Sequence, residues 1–404
     1  MFPSLRKNMA VLALLVIVLF TGVSTVYGVK ATLVSPNSQS MGEFGGSVAV
    51  GDNVIVVGAY TETVGGNMSA GRVYVFNAKT DSLTLTLTSP NSQQAGIFGI
   101  AVAVNNGIIV VGAKQETVGS NAQAGRVYIY NATTGKLMTT LTSPNSQNQG
   151  YFGVSLTLSG GIVVVGALGE TADGFTNAGR AYVFSAKTAR LISTLTSPNP
   201  QQTGWFGSDV AINDGTVVVG APGEAVEGNV GAGRVYVFNL KSSLLTSTLI
   251  SPDLQSGGSE AFGASVALSR GFIVVGAYNE MVGGNEGTGR AYVFNATTNL
   301  LTNSLSSPNS QLGGIFGDSV AVSGSAILVG APGETVNGNV NAGRVYVFNV
   351  KTAKLMSTLT SPNSQQGGSF GYSVALNGST VVVGAKGETV NGNPSAGRAY
   401  IFPS

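Results

Sequence analysis

The chain has 404 residues, of which 58 are glycine and only 9% are charged, while 43% are hydrophobic; it is too apolar for a disordered chain and too rich in glycine for a helical one. It contains no cysteine and no histidine, which excludes disulfide bonds, thiolate nucleophiles, Ser-His pairs and imidazole ligands. The net charge of +2 falls to zero when Arg6 and Lys7 of the N-terminal segment are set aside, because 18 basic and 18 acidic residues remain. The charge therefore gives no reason to expect a nucleic-acid partner.

The first element in chain order is an apolar N-terminal segment. Residues 1–28 contain two basic residues, a long apolar run and then a small, weakly polar stretch. This order is typical of a secretory signal peptide. The alternative is a retained N-terminal anchor, because no charge occurs between Lys7 and Lys30 and that span is long enough to cross a bilayer. Under both interpretations residues 29–404 are exported, and we expect them to be secreted or held at the cell surface.

Beyond this segment the chain consists of seven copies of one unit. The Phe of a Phe-Gly pair recurs every 54 residues, with one step of 56, and the Arg of an (Ala/Thr)-Gly-Arg triplet follows the same steps. The Phe residues are Phe44, Phe98, Phe152, Phe206, Phe262, Phe316 and Phe370. The two extra residues lie between Pro252 and Phe262. Such regularity predicts one repeat architecture rather than several unrelated domains.

Each copy contains four apolar, β-branched runs separated by turn residues. In the second copy these runs are Phe98–Val104, Ile108–Ala113, Arg126–Tyr130 and Lys136–Leu141. The first two are joined by Asn-Asn-Gly, which suits a tight hairpin. We therefore expect a four-stranded antiparallel meander in each copy. Runs such as Val163–Val165 do not alternate apolar with polar residues, so neighbouring copies should cover both faces of each sheet.

Four strands per copy and seven copies predict an all-β fold, a seven-bladed β-propeller in which residues 29–404 form a single domain. The first strand of each blade is rich in small residues, as in Phe44–Ala49, and we expect it to lie innermost, where backbones crowd. The last copy stops after its third strand, whereas Lys30–Pro36 matches the end of the missing fourth one. The N-terminal strand should therefore complete the seventh blade and close the ring.

The order Phe-Gly, Val-Gly-Ala and Gly-Arg-x-Tyr-Val-Phe resembles the FG-GAP repeat of integrin α-subunit propellers and of exported, integrin-α-like microbial proteins. The resemblance covers all seven copies over residues 29–402, although the full Gly-Ala-Pro occurs only at Gly220–Pro222 and Gly330–Pro332. It implies a non-enzymatic, exported or surface-held propeller that binds another macromolecule through its long-loop face.

Many members of that family carry Asp-x-Asp-x-Asp-Gly in the hairpin between the first two strands, where oxygen ligands converge on Ca²⁺. In this chain the hairpin has only two or three residues and at most one acid, Asp52 or Asp214. We therefore predict no metal in these hairpins, and the sequence indicates no cofactor.

Seven glutamates each lie ten residues before a repeated arginine. The pairs are Glu62 and Arg72, Glu116 and Arg126, Glu170 and Arg180, Glu224 and Arg234, Glu280 and Arg290, Glu334 and Arg344, and Glu388 and Arg398. One interpretation is a ring of carboxylates that collects cations or basic ligands. The other is a structural ion pair in each blade, which gives a partly buried charge its partner. Sevenfold repetition beside an opposite charge favours the structural interpretation.

Positions at which the copies differ are better candidates for a ligand site. The residue before Phe-Gly varies and includes Tyr151 and the only tryptophan, Trp205, while the residue after Val-Gly-Ala includes Tyr60 and Tyr278. We expect these four aromatic residues at the mouth of the axis on the long-loop face, because aromatic side chains with polar tips suit recognition surfaces. The alternative is that they fill gaps between neighbouring blades.

Three functions remain open at this point. We expect a binding or adhesion propeller that recognises a protein or a glycan outside the cell, contacts no nucleic acid and meets the membrane only through its N-terminal segment. A structural cell-envelope coat protein is the alternative, favoured by the near-zero charge and the uniform copies. A carboxylate-based lyase or hydrolase is the least favoured, because catalysis needs groups in distinct environments and we expect no Asp/Glu pair to break the sevenfold pattern.

Overall fold

The protein is described by a computed structural model over residues 28–255 and 259–403. Every regular element in these residues is a β-strand. The strands form seven antiparallel sheets of four strands each, and each sheet is one blade of a seven-bladed β-propeller. The predicted fold class is therefore confirmed. The predicted signal peptide or anchor lies outside the described residues, apart from Gly28.

The strands are numbered in chain order, and blade 1 begins with the first strand that follows the N-terminal one. The first strands of blades 1 to 7 are Ser47–Gly51 (β2), Phe98–Asn105 (β6), Leu156–Ser159 (β10), Val210–Asn213 (β14), Ser265–Ser269 (β18), Val320–Ser323 (β22) and Phe370–Asn377 (β26). The second strands are Val54–Ala59 (β3), Ile108–Ala113 (β7), Ile162–Ala167 (β11), Thr216–Ala221 (β15), Phe272–Ala277 (β19), Ala326–Ala331 (β23) and Thr380–Ala385 (β27). The third strands are Arg72–Asn77 (β4), Arg126–Asn131 (β8), Arg180–Ser185 (β12), Arg234–Asn239 (β16), Arg290–Asn295 (β20), Arg344–Asn349 (β24) and Arg398–Pro403 (β28). The fourth strands are Leu83–Thr88 (β5), Leu137–Thr142 (β9), Leu191–Leu195 (β13), Leu245–Leu249 (β17), Leu301–Ser306 (β21), Leu355–Thr360 (β25) and, for blade 7, Ala31–Leu33 (β1).

The N-terminal strand closes the ring as predicted. Strand β1 pairs antiparallel with β28, with Ala31 opposite Ile401 and Leu33 opposite Ala399. The backbone N–H of Lys30 adds a hydrogen bond to the carbonyl of Ile401 at 2.8 Å. Blade 7 is thus built from both ends of the described chain, and the closed ring has no unmatched blade face.

The hydrophobic core lies between the blades. In the second strand β7, five consecutive residues are buried, because a blade packs against a neighbour on each face. The core cluster between blades 7 and 1 joins Leu33, Phe44 and Ile401. Phe44 of the Phe-Gly pair packs against Tyr74 and Phe76, with ring centroids 5.6 and 6.2 Å apart. The same aromatic contacts recur in the other blades, so each blade is stabilised chiefly by its neighbours.

The first strands line a cavity of about 480 Å³ along the axis, which agrees with their expected innermost position. The tightest crowding, however, lies between blades. A Cβ placed on Gly58 of the second strand would lie 2.2 Å from the carbonyl oxygen of Gly99 in the next blade. The glycines of Val-Gly-Ala are therefore required by the close approach of adjacent backbones.

One face of the ring carries the longer segments and is called the long-loop face here. It comprises the loops between second and third strands, such as residues 60–71, and the connections between blades, such as residues 89–97. Loop and connection are hydrogen-bonded to each other, as in the 2.8 Å bond from the N–H of Ala95 to the carbonyl of Met68. The opposite face carries the short hairpins. In residues 28–255 and 259–403, no helix is long and apolar enough to span a membrane.

Candidate functional site

Each repeated glutamate is the centre of a buried hydrogen-bond network beneath the long-loop face. In blade 1 the carboxylate of Glu62 is fully buried. It accepts hydrogen bonds from the hydroxyls of Ser35 at 2.5 Å and Tyr74 at 2.7 Å. It also accepts bonds from Asn37 Nδ2 and from Arg72 Nη1, each at 3.2 Å. One carboxylate thus joins the connection from the preceding blade, the long loop and the third strand.

The same pairing recurs around the ring with differences in detail. The arginine donates a hydrogen bond to the glutamate in blades 1, 6 and 7, whereas in blades 2 to 4 it donates to a carbonyl of the long loop. All seven glutamates are fully buried, and the shortest nitrogen–oxygen distances to their arginines lie between 2.7 and 3.6 Å. Burial raises the pKa of Glu116, Glu170 and Glu224, while hydrogen bonds from the neighbouring Ser and Tyr oppose that rise. Carboxylates with no exposed surface favour the structural interpretation of these pairs.

Blade 5 departs from this network. Asp253 replaces the asparagine of the other connections, and Arg290 contacts both Glu280 at 2.7 Å and Asp253 at 3.1 Å. Burial raises the pKa of Glu280 to about 7, and the nearby charges of Asp253 and Glu260 add to the rise. Asp253 lies in the same connection as the two extra residues of this copy. The change could have been noticed in the sequence, because Ser-Pro-Asp replaces Ser-Pro-Asn only here.

Serines in the first strands or directly before them link adjacent blades, a feature that we did not predict. Each donates a hydrogen bond from its hydroxyl to the carbonyl of the Phe-Gly glycine in the next blade, at 2.7–2.9 Å. The pairs are Ser47 with Gly99, Ser155 with Gly207, Ser265 with Gly317, Ser319 with Gly371 and Ser373 with Gly45. Blades 2 and 4 have Ala101 and Asp209 at this register position.

Two acids break the sevenfold pattern and line the axial cavity, so our expectation that no acid pair would do so was wrong. Asp209 accepts hydrogen bonds from its neighbour Val210 at 2.9 Å and from Val266 of blade 5 at 2.7 Å. Burial raises its pKa to about 7, although these two bonds oppose the rise. Burial also raises the pKa of Asp318 to about 6, against the opposing charge of Lys386. Both acids occupy x positions of Phe-Gly-x-x at which the copies differ, so the sequence alone could have identified them.

Tyr60 lies in a packed cluster at the junction of blades 7 and 1. It is only 7% exposed, and its hydroxyl accepts a hydrogen bond from Lys386 Nζ at 3.1 Å. The same ammonium lies 3.7 Å from the ring centroid of Tyr372 and 3.6 Å from a carboxylate oxygen of Glu43. Burial raises the pKa of Tyr60, so its phenol stays neutral. The contacts of Tyr60 are those of a residue that fills a gap between blades.

Tyr151 stands apart from the other predicted aromatic residues. Its hydroxyl donates a hydrogen bond to Gln123 Oε1 at 3.1 Å. Its ring lies over Gly169 of the same blade, where a Cβ would approach the ring to 2.8 Å. Tyr151 is half-buried and does not share a cavity with Trp205, although it occupies the same register position.

Trp205 and Tyr278 are brought together in one pocket of about 270 Å³ between blades 4 and 5. We call this cavity the Trp205 pocket; its lining is Leu168, Trp205, Ser208, Pro222, Gly223, Gly231, Ser259, Ala261, Ala264, Tyr278 and Asn279. Trp205 is 42% exposed. Its backbone has a φ of 56°, in the left-handed region, as does the equivalent residue of every other blade.

The long-loop face exposes nine large apolar side chains, most of which we did not single out. They are Val34, Met41, Met68, Phe175, Trp205, Val230, Met281, Leu312 and Val340. On the opposite face, the hairpins of the described chain expose only Leu244 and Leu300 in this class. They are not part of the repeat consensus: Phe175, for example, replaces the asparagine of the other six copies, and Met281 replaces a residue that is threonine in five of them.

The hairpins between first and second strands do not fit the calcium site of the resembling family. The carboxylate of Asp52 accepts the N–H of Gly107 at 3.1 Å, and that of Asp214 lies 3.3 Å from Arg270. Within the described ranges no three acidic side chains are placed to hold a metal ion together. These hairpins thus lack the Asp-x-Asp-x-Asp-Gly sequence that many members of the resembling family carry.

Comparison with known proteins agrees with the repeat geometry. The family model of the FG-GAP repeat matches residues 27–76, 136–184, 190–238, 246–294, 304–348 and 354–402. Among curated proteins none matches the chain. The six matched segments cover well over half of the sequence, and the chain therefore belongs to the FG-GAP repeat family.

Proposed function

We propose that this chain is a non-enzymatic binding or adhesion propeller that recognises a protein or a glycan outside the cell through its long-loop face. The observation that carries the proposal is the accumulation there of exposed apolar side chains at positions where the copies differ, such as Met68, Val230 and Val340. Exposed apolar side chains on loops of a rigid scaffold are typical of interaction surfaces.

The scaffold beneath this face favours binding because it is preorganised. Loops and connections are hydrogen-bonded to each other and anchored on the buried glutamates. A surface that is already ordered loses less conformational entropy when a partner binds. Many weak polar contacts and a few apolar anchors can therefore act together over one plane.

A catalytic role is less well supported, even though two acids line the axis. The carboxylate oxygens of Asp209 accept backbone N–H groups from blades 4 and 5, which is a structural link between blades. The charge of Asp318 is opposed by Lys386. Neither acid is paired with a nucleophile activated by a neighbouring base, the arrangement that covalent catalysis requires.

Residues 29–404 should be tested on a glycan array and against immobilised extracellular proteins, and each hit measured by biolayer interferometry. Replacing Met68, Val230 and Val340 by Glu should abolish the interaction, because charges at a contact surface lose hydration without gaining partners. The control is the same replacement of Leu244 and Leu300 on the opposite face, which should leave binding unchanged. Equal loss in both variants, or loss only in the control, would refute the assignment of the face.

The proposed location is outside the cell, secreted or surface-held, and it depends on the segment 1–28. Cell fractionation followed by N-terminal sequencing of the mature chain tests it. A chain recovered from the medium or envelope supports export, and its first residue shows whether the segment is removed. Recovery of the full-length chain from the cytoplasm would contradict the proposal.

A coat protein is the second candidate, and one observation favours it. The outer strands and their ends expose apolar residues around the rim, including Leu83, Leu191, Leu301 and Leu355, and outer strands have unpaired backbone edges. Contact between the rims of two protein molecules would bury these leucines and pair the free strand edges. Analytical ultracentrifugation of the wild type and of a Leu191→Lys, Leu301→Lys variant tests this: concentration-dependent assembly lost in the variant favours the coat, whereas a monomer at all concentrations excludes it.

A further inference from the structure

The Trp205 pocket has the size and position of a ligand site on the long-loop face. Its volume of about 270 Å³ lies just below the usual range of about 300–1,000 Å³ for ligand pockets, which suits one ring rather than a folded segment of a partner. The lining comes from three blades, since Leu168 belongs to blade 3, Pro222 to blade 4 and Tyr278 to blade 5. Long loops of these blades and the connections between blades together form its walls.

Two aromatic residues give the pocket apolar walls. The indole of Trp205 rests on Gly223, where a Cβ would lie 3.1 Å from its Cε3 atom, yet 42% of the side chain remains accessible. Tyr278 adds a second, half-exposed ring from blade 5. Planar aromatic surfaces of this kind pack against the C–H faces of sugar rings, which are apolar although the sugar edge is polar.

Polar groups with free hydrogen-bonding capacity line the same pocket. Asn279 Nδ2 donates to the carbonyl of Ser259 at 2.7 Å, which fixes the orientation of the amide. Among the described contacts, neither Asn279 Oδ1 nor the hydroxyl of Ser208 has a hydrogen-bond partner. The pocket therefore offers an acceptor and a hydroxyl that both donates and accepts. An apolar side chain of a protein partner would leave these groups unsatisfied, at a cost in affinity, whereas sugar hydroxyls would bind them.

The charge of the pocket selects among sugars. None of its described lining residues is Asp, Glu, Lys or Arg, and burial together with the charge of Asp318 raises the pKa of Tyr278, so this phenol stays neutral. A carboxylated or sulfated sugar would lose hydration here without an opposite charge. The lining is thus complementary to an uncharged ligand.

We propose that the Trp205 pocket binds one ring of an uncharged glycan, which stacks on Trp205 and Tyr278 and is hydrogen-bonded by Asn279 and Ser208. The inference rests on the proposed function, because it assigns the ligand class of one site on the long-loop face. Tyr151, at the same register position as Trp205, does not line this cavity and is therefore not part of the proposed site.

The tryptophan itself reports on the site, because it is the only one in the chain. Intrinsic fluorescence of the full propeller should shift saturably with at least one of maltotriose, cellotriose, mannotriose and chitotriose. Trigalacturonic acid and N-acetyl-leucinamide, which represent an anionic sugar and an apolar side chain, should leave the emission unchanged. A shift with either of these two probes but with no neutral trisaccharide overturns the proposal.

Variants locate the binding and separate this proposal from the assignment of the whole face. Tyr278→Ala should weaken binding by about 30-fold or more, the usual loss for an aromatic anchor, whereas Tyr151→Ala should leave the affinity unchanged. Calorimetry of Trp205→Ala should show the same loss, with unaltered thermal unfolding as the check on folding. If glycan or protein binding survives Trp205→Ala and Tyr278→Ala but is lost in the Glu variant of the long-loop face, the proposed pocket ligand is wrong. The assignment of binding to the long-loop face then still holds.

Discussion

A buried carboxylate such as Glu334 is tolerated because donors surround it. Tyr346 donates at 2.6 Å, Arg344 at 2.9 Å and Asn309 at 3.2 Å, and the Ser307 hydroxyl completes the set. An ionised carboxyl group accepts hydrogen bonds on both oxygens and donates none, so it matches this environment. The desolvation of the charge is offset by these contacts rather than by exposure to solvent.

Glu334→Gln should therefore lower the free energy of unfolding by about 1–3 kcal/mol, because the new amide group faces donors and the nearby arginine loses its counter-charge. The denaturant midpoint measures the effect, and ligand binding should persist. Asp214→Asn is the matched control: its ion pair with Arg270 is exposed, so stability should change by less than about 0.5 kcal/mol. Equal effects in the two variants would contradict the structural role of the buried pair.

Asp209 makes a pH dependence testable. Its pKa of about 7 lies above the ordinary value near 4, so between about pH 4 and pH 7 the folded state binds more protons than the unfolded state. The stability contributed by this group is full at low pH and decreases as the pH rises from about 4 to about 7. Asp209→Ser, the residue found at this position in most blades, should remove that dependence.

The measurement is the stability of both proteins from pH 4 to pH 8. Across that range the stability of the variant should rise relative to that of the wild type by about 4 kcal/mol, because each of the three pKa units contributes about 1.4 kcal/mol. The other titrating acids, Asp318 and Glu280, contribute equally to both proteins. Parallel stability curves would show that the carboxyl group of Asp209 does not titrate in this range.

Contacts between residues could be predicted from the sequence where the same spacing recurs in every copy. The fixed ten-residue spacing was enough to pair Glu62 with Arg72, and the structure places the two within 3.2 Å. The donors from Ser35 and Tyr74 were not predicted. Ser35 belongs to the connection from the preceding blade, whereas Tyr74 lies on β4, two residues after Arg72, at a spacing from Glu62 that repeats and could have been used. Spacing along the chain encodes contacts within a blade better than contacts between blades.

At the scale of strands, hydrogen bonds between blades follow one rule with two exceptions. Ser47 donates to the carbonyl of Gly99, but blade 2 has Ala101 and blade 4 has Asp209 at this position. The acceptor is nevertheless in place: a Cβ on Gly112 would lie 2.1 Å from the carbonyl oxygen of Gly153, as one on Gly58 lies 2.2 Å from that of Gly99. Blade 2 thus lacks only the hydroxyl.

Ala101→Ser should accordingly stabilise the propeller by about 0.5–1 kcal/mol, because it adds a hydrogen bond to a preformed acceptor. Ser155→Ala should lose a similar amount, since it removes the 2.9 Å bond to Gly207. Thermal unfolding of the two variants beside the wild type measures both changes. Destabilisation by Ala101→Ser would show that the added hydroxyl cannot reach Gly153.

The limits of the strands were nearly all predictable in the second copy, but the first strand of blade 1, expected from Phe44, begins only at Ser47. The run Ile108–Ala113 is a strand with the predicted limits, and Arg126–Tyr130 is extended by one residue to Asn131. Asn106 and Gly107 have φ values of 49° and 71°, as their hairpin chemistry requires. The Trp205 pocket was not predictable from these patterns, since it depends on how three blades pack and on side chains outside the consensus.

At the scale of the whole molecule, stability depends on closure of the ring, since the core clusters lie between blades. Leu33 of β1 is buried in the cluster that joins blades 7 and 1, and its equivalents Leu87 and Leu141 are buried in the same way. Without β1, strand β28 would have an unpaired edge beside exposed apolar surface, which favours aggregation.

A chain that begins at residue 36 should therefore lose at least about 3 kcal/mol of stability relative to one that begins at residue 29, because it lacks the buried Leu33 and the pairing of β1. It should also associate with itself as concentration rises. A synthetic peptide of residues 29–37 should restore the lost stability by adding a strand to β28, whereas the same peptide with Leu33→Asp should not. If the shortened chain is as stable as the longer one, or if both peptides act alike, the pairing of β1 with β28 does not hold the ring closed.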